Sequence, residues 1–214
     1  MTAENEPLVR QQLTRSYRYL HEHGLTQQAS GNISARCGDL ILISPSGAAG
    51  PHVEPEAFVC TDRNGRAVGG GRPSSELFMH LAIYQAKPES MAVVHTHSSA
   101  CVALASCRKP IPGFHYLIGS FGGIDIPCAD YAVFGSPTLA QNVVGALTNR
   151  QACLLANHGA IAWGCSLDTA ILFAHRVEIL AYQYLLARQA GEPVLLTPAE
   201  FEEYRDQARK LHYD

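Results

Sequence analysis

Ala92-Val93-Val94-His95-Thr96-His97 is the stretch from which the rest of this 214-residue chain can be read. Its β-branched and apolar residues predict a buried strand. Along a strand, residues i and i+2 point to the same face, so His95 and His97 can address one small metal ion. A third imidazole, His158, lies at the exit of a second apolar run, Leu154-Leu155-Ala156-Asn157-His158-Gly159. Three neutral imidazoles, with a fourth position open to water or substrate, form the ligand pattern of a catalytic zinc rather than a structural one. His21 and His23 have the same i, i+2 spacing but fall in a predicted helix. There they point to different faces and read as solvated surface residues.

Working outward, helices and strands interleave. Residues 7–23 carry Leu8, Leu13, Tyr17 and Leu20 at helical spacing and stop at Gly24. Leu40-Ile41-Leu42-Ile43 is a short strand that leads into the turn Ser44-Pro45-Ser46-Gly47. Asn64-Gly65, between the apolar residues 58–61 and 67–68, marks a hairpin. Further helices are predicted over 74–85, 98–106 and 138–148, a strand over 153–156, and the longest helix over 168–190, ended by Gly191. Thr197-Pro198-Ala199-Glu200 reads as a capping box that opens a C-terminal helix. Strands joined by a hairpin and short loops argue for a mixed or antiparallel sheet packed with helices.

Composition narrows the class. A chain of this length can bury one substantial core, so one domain over residues 1–214 is expected. A formal net charge of −3 offers no basic footprint for nucleic acid. No apolar run is long enough to span a membrane, and the polar, acidic N-terminus does not resemble a signal or transit peptide. The seven cysteines are scattered, with no Cys-x-x-Cys, and read as reduced, mostly buried small hydrophobes of a cytoplasmic protein.

A second cluster is Pro73-Ser74-Ser75-Glu76. Two hydroxyls and free N–H groups at a helix start form a ready anion site. The same residues also suit helix capping, so this segment alone leaves both readings open. Asn32 in Ser30-Gly31-Asn32-Ile33, and Ser46-Gly47, could complete a phosphate cradle with the serine pair, although each on its own is an ordinary turn residue. No nucleotide P-loop pattern occurs.

In chain order, Gly31-Asn32, Ser44-Pro45-Ser46-Gly47, Pro73-Ser74-Ser75-Glu76, His95-Thr96-His97, His115-Tyr116, Ile126-Pro127-Cys128 and Asn157-His158-Gly159 resemble the zinc-dependent class II aldolases of the fuculose-phosphate aldolase type. These belong to the superfamily that includes the adducin head. The resemblance covers nearly the whole chain and is weakest over its last fifteen residues. It implies an α/β fold of three αβα layers, with a central mixed, mostly antiparallel sheet and helices on both faces. It also implies a cyclic homotetramer with active sites at subunit interfaces.

Carried over residue by residue, the resemblance implies one Zn²⁺ per subunit held by His95, His97 and His158. Glu76 would be a fourth ligand and the acid/base. Asn32, Ser46, Gly47, Ser74 and Ser75 would bind the substrate phosphate. Tyr116 would donate a proton in the neighbouring subunit's site. A tyrosine near the C-terminus is also implied, with Tyr213 and Tyr204 as competing candidates. Two positions depart from the family pattern. Ser46 stands where Thr is common, which keeps the hydroxyl, and Asn157 stands where His is common, beside the ligand His158.

The expected reaction is retro-aldol cleavage of a ketose 1-phosphate to dihydroxyacetone phosphate and a short aldehyde such as lactaldehyde. The metal would act as a Lewis acid toward the charge left on cleavage, and a carboxylate would move the proton at C3. A remote phosphate site would turn binding energy into orientation. No Schiff-base lysine is needed, since Lys87, Lys109 and Lys210 sit in no apolar setting that would depress a pKa. Related enzymes on the same metal site are the rivals: sugar-phosphate 4-epimerases, methylthioribulose-phosphate dehydratases and phospho-sugar-acid decarboxylases. The epimerases tend to carry Asp where Glu76 stands, and the decarboxylases tend to carry Lys where Ser75 stands. Ser75-Glu76 therefore favours aldolase and leaves the dehydratase open. A zinc hydrolase fits the Glu-plus-phosphate-cradle spacing poorly. A non-catalytic adducin-like scaffold would be expected to lose the metal ligands, which are all present.

Overall fold

In the computed structural model, which describes residues 5–212, the chain opens with helix α1 (Glu6–Glu22) and strands β1 (Asn32–Cys37) and β2 (Leu40–Ile43). Strands β3 (Val59–Thr61) and β4 (Ala67–Val68) follow, then helix α2 (Leu77–Ala86), strand β5 (Ala92–Thr96) and helix α3 (Ser99–Ser106). Next come the short strands β6 (Ile111–Pro112), β7 (Asp125–Ile126) and β8 (Cys128–Ala129), helix α4 (Pro137–Ala146), and strands β9 (Ala152–Leu155) and β10 (Gly159–Gly164). The long helix α5 (Leu167–Ala190) and helix α6 (Pro198–Lys210) close the described chain.

Eight strands form one sheet in the order β4-β3-β2-β1-β5-β10-β9-β8. Every neighbouring pair is antiparallel except β8 with β9. Strand β5 is therefore central. Its backbone is paired on both flanks, with His95 opposite Asn32 of β1 and opposite Ile161 of β10. Alternation along the strands builds two cores. Ala92 and Val94, with Ile33, Ala160 and Ala162, pack under α1, α3 and α5. Val93, Ile161 and Trp163 pack on the other face with Met79, Ile83 and Tyr84 of α2 and Leu139 and Val143 of α4. The mixed, mostly antiparallel sheet with helices on both faces is thus as expected. Truncating a fully buried branched residue such as Ile161 to Ala would cost about 2–5 kcal/mol.

Local chemistry accounts for several boundaries. Gly65 adopts φ +83° in the turn between β3 and β4, where Asp62 Oδ1 accepts from the N–H groups of Asn64 and Arg66, each at 2.9 Å. The Thr197 hydroxyl and the Glu200 carboxylate form the reciprocal capping box of α6. One boundary differs from expectation: the helix placed at 74–85 begins at Leu77. Ser74 N–H donates to Ser44 C=O at 3.1 Å beside the Pro45–Pro73 bridge, and this pairing holds Ser74 out of the helix. Strands β1 and β10 were not expected. Their Ala, Gly and Ser content is poor in β-formers, and pairing with β5 holds them extended. No disulfide forms among the described residues, and Cys37, Cys60, Cys101 and Cys153 are buried. No helix among the described residues is long and apolar enough to cross a membrane.

Candidate metal centre and active site

His95 and His97 emerge on one face at the end of β5, as strand periodicity requires. His158 arrives from the β9–β10 turn, where Asn157 takes the left-handed conformation at φ +53° and His158 N–H donates to Leu155 C=O. Asn tolerates that conformation better than most residues. Two glycines let the chain close around the histidine strand. A Cβ on Gly159 would lie 2.2 Å from Thr96 O, and one on Gly31, at φ +76°, would lie 2.8 Å from His95 O. Glu76 comes from the turn before α2, on the same face of the sheet.

These four residues converge, with their ligand atoms all within 4.8 Å of one another. His95 Nε2 lies 2.9 Å from His97 Nε2 and 3.1 Å from Glu76 Oε2. His158 Nε2 lies 3.3 Å from Glu76 Oε1. Nδ1 of His95 faces Ala160 C=O at 2.8 Å, so Nδ1 carries a proton and Nε2 is the atom offered to the cluster. Two imidazole nitrogens this close repel unless a proton or a cation lies between them. Glu76 Oε1 is buried and has no hydrogen-bond partner. Three imidazoles and one carboxylate with such an orphaned oxygen fit a divalent cation of the zinc type.

The electrostatics agree. Burial, together with the charge of His95 and His158, depresses His97 to about 3, and burial with the charge of His95 depresses His158 to about 4. Both are therefore neutral and competent to ligate. Burial opposes charge on His95 as well, yet the adjacent Glu76 carboxylate and its hydrogen bond raise that pKa. Burial alone would raise Glu76. The charge and hydrogen bond of His95, then His158 and the Asn32 amide, outweigh burial and hold Glu76 well below the carboxylate range.

Glu76, His97 and His158 line a cleft of about 800 Å³, and His95 is fully buried beside them. Ser46, Gly47, Ser74 and Ser75 line one side, and Val102, Tyr131, Ala132 and Phe134 line another. Among the described residues, no lysine or arginine lines it. Gly47 sits at φ +74°, and Ser74 Oγ accepts from Glu76 N–H at 3.3 Å, so one serine also orders the turn that carries the carboxylate. Asn32 borders the cleft too, but both ends of its amide are engaged. Nδ2 donates to Glu76 Oε2 at 3.0 Å, and Oδ1 faces His80 Nε2 at 2.5 Å. Asn157 Oδ1 accepts from Arg108 Nε at 2.7 Å.

Tyr116 does not line this cleft. It is 51 % exposed and packs beside His115 and Tyr204, on a separate depression shared with Tyr19, His175 and Arg176. Tyr213 lies outside the described residues. Sequence reasoning missed His80, Ser34 and Tyr84, which are buried behind Glu76. A signal was present: Glu76, His80 and Tyr84 recur at four-residue steps, which places them along one side of a helix and its cap.

A sequence model described as the Class II Aldolase and Adducin N-terminal domain matches residues 11–185. The chain is 43% identical over 171 residues to an L-fuculose phosphate aldolase of Escherichia coli, covering 80% of each chain. It is 42% identical over 179 residues to a 5-methylthioribulose-1-phosphate/5-deoxyribulose-1-phosphate aldolase of Rhodospirillum rubrum, covering 84% of this chain and 81% of that one. A solved structure of an L-fuculose 1-phosphate aldolase superposes with a TM-score of 0.90 at 35% identity, covering 98% of both chains.

Proposed function

Because the chain belongs to the class II aldolase and adducin family, we propose that it is a Zn²⁺-dependent aldolase that cleaves a ketose 1-phosphate to dihydroxyacetone phosphate and a short aldehyde. The observation that carries this reading is the convergence of Glu76, His95, His97 and His158 at the serine-lined cleft, where all but His95 reach its surface. In this reading the three histidines and Glu76 hold one Zn²⁺ per chain. When bound, the ion supplies Lewis acidity toward the negative charge left at C2 and C3 after the C3–C4 bond breaks.

The chain's own residues do the rest. Ser46, Ser74, Ser75 and the N–H of Gly47 bind the phosphate on C1, with Asn32 at the rim of the cradle. Neutral donors suffice for an anion held by several hydrogen bonds, and the remote grip orients C3 over the metal centre. Substrate displaces Glu76 from the resting ligand set; the freed carboxylate takes a proton from solvent and gives it to C3 to release dihydroxyacetone phosphate, and removes that proton from C3 in the reverse direction. The oxygen on C4 must lose its proton as the aldehyde forms. Tyr116 serves that step from a neighbouring subunit, in keeping with its exposure and its distance from its own chain's cleft. A ring of four chains would repeat one heterologous contact to closure.

The aldehyde product is lactaldehyde if L-fuculose 1-phosphate is the substrate, the activity named for the Escherichia coli relative. The Rhodospirillum relative supports 5-deoxy and methylthio pentulose phosphates as a second choice, because Val102, Tyr131 and Phe134 give the cleft an apolar wall suited to such a tail. The deciding experiment incubates the Zn²⁺-loaded protein with L-fuculose 1-phosphate and 5-deoxyribulose 1-phosphate and measures dihydroxyacetone phosphate. Formation from either supports the aldolase reading, and the larger kcat/KM assigns the substrate. Loss of water or epimerisation without dihydroxyacetone phosphate rejects it.

A further inference from the structure

Behind the metal centre lies a file of buried polar side chains that the proposed reaction does not use. From Glu76 Oε2 it runs to Asn32 Nδ2 at 3.0 Å, from Asn32 Oδ1 to His80 Nε2 at 2.5 Å, from His80 Nδ1 to Ser34 Oγ at 2.7 Å, and from Ser34 Oγ to Tyr84 Oη at 2.8 Å. His80 and Ser34 are fully buried, and Tyr84 nearly so. Polar groups in such a place cost stability unless every partner is matched. Here each is matched, and in one direction only.

The direction follows from what each atom can do. A carboxylate oxygen only accepts, so Asn32 must turn its NH₂ toward Glu76 and its carbonyl toward His80. The carbonyl only accepts, so His80 must carry its proton on Nε2. Burial keeps the ring neutral, lowering its pKa to about 3, so Nδ1 accepts and Ser34 must donate to it. The Ser34 oxygen then accepts from the Tyr84 hydroxyl. Every O–H or N–H in the file points toward Glu76. The amide of Asn32 interrupts any passage of protons, so the file orients groups rather than conducting charge.

We propose that His80 is a positioning residue: through the Asn32 amide it holds the Glu76 carboxylate toward the three imidazoles. Without the His80 donor, Asn32 Oδ1 becomes a buried acceptor with no partner, and the amide is held only through its bond to Glu76. An amide anchored at one end can tilt toward other donors, and it then no longer fixes the position of the Glu76 carboxylate it carries. Ser34 acts one step behind by donating to His80 Nδ1, and Tyr84 one step behind Ser34. Partners of this kind, removed from residues that orient metal ligands, typically change metal affinity by about 10–100-fold. The proposal rests on the reading of Glu76 as part of the metal site and not on which sugar phosphate is cleaved.

The test is a double-mutant cycle read by Zn²⁺ affinity of the metal-free protein, measured by competition with a chelator. His80→Leu and Asn32→Ala should each weaken binding by about tenfold or more, and the double variant should be no weaker than Asn32→Ala alone. His80→Gln, which keeps an N–H able to reach Asn32, should recover most of the loss. Losses that multiply in the double variant, or His80→Gln as poor as His80→Leu, would mean His80 only fills space. A wild type that takes up no Zn²⁺ overturns the metal reading itself, whereas normal uptake by a folded His80→Leu overturns the positioning role alone. If His80→Leu does not fold, ¹⁵N-histidine spectra of the wild type decide the matter: the proposal requires a neutral His80 protonated on Nε2, and the Nδ1–H tautomer overturns it.

Discussion

The Nε2 atoms of His95 and His97 face each other at 2.9 Å, with the Glu76 carboxylate 3.1 Å from His95. Two ring nitrogens that close repel unless a proton or a cation lies between them. In the metal-free protein the Glu76 carboxylate raises the His95 pKa and so favours a proton there. A divalent cation binding at this site would displace that proton. Its affinity should therefore weaken as pH falls through the raised His95 pKa, by about tenfold per unit once the proton is held. Titrations of the metal-free protein with Zn²⁺ at several pH values check the slope. His97→Ala and His158→Ala should retain far less than one equivalent of metal after dialysis, and a chelator should abolish dihydroxyacetone phosphate formation.

Glu76→Gln keeps the shape of the side chain and removes its basicity. Exchange of the C3 proton of dihydroxyacetone phosphate with solvent should fall by about 10²–10⁴-fold, while binding of inorganic phosphate stays near wild type. Wild-type exchange in this variant would assign the proton step to another group.

Ser74→Ala and Ser75→Ala should separate phosphate binding from structure. Ser75 is exposed in the cleft, so its loss should raise KM for the sugar phosphate several-fold with little change in melting temperature. Ser74 also accepts from Glu76 N–H, so its loss should lower kcat as well as raise KM. Equal effects on phosphorylated and unphosphorylated substrates would reduce both residues to turn formers.

Two inactive variants, Glu76→Gln and Tyr116→Phe, should restore activity when their subunits exchange. The expectation follows from the separation of Tyr116 from its own chain's cleft. Demonstrated exchange with no recovery would place Tyr116 outside catalysis.

His80 also predicts an acid limb of stability. Its folded pKa is depressed to about 3, below an unfolded value of about 6.5. Between those values the unfolded chain binds the extra proton, so stability is full above about pH 6.5 and falls as pH drops, by up to about 1.4 kcal/mol per unit from this residue. Urea denaturation of metal-free His80→Gln should show a shallower decline over that range than the wild type. Parallel curves would show that His80 is protonated in the folded state.

The sequence by itself determined the parts whose physics is local. His95 and His97 share a face because a strand repeats every two residues, and the Asn64-Gly65 turn and the Thr197–Glu200 capping box follow from backbone chemistry within a few residues. Seven ordered motifs carried the family and, with it, the layered fold. Only the tertiary structure decided which groups meet. It put β1 and β10, poor in β-formers, on either side of β5, because two central partners can fix an extended chain that its own residues would not. It drew Ser74 out of the helix by pairing its N–H with Ser44. It turned Asn32 toward Glu76 and set His80 behind it, since an amide's orientation depends on donors and acceptors that are 44 and 48 residues away in the chain. Periodicity tells a side chain which face to take; only packing tells it which partner it will find there.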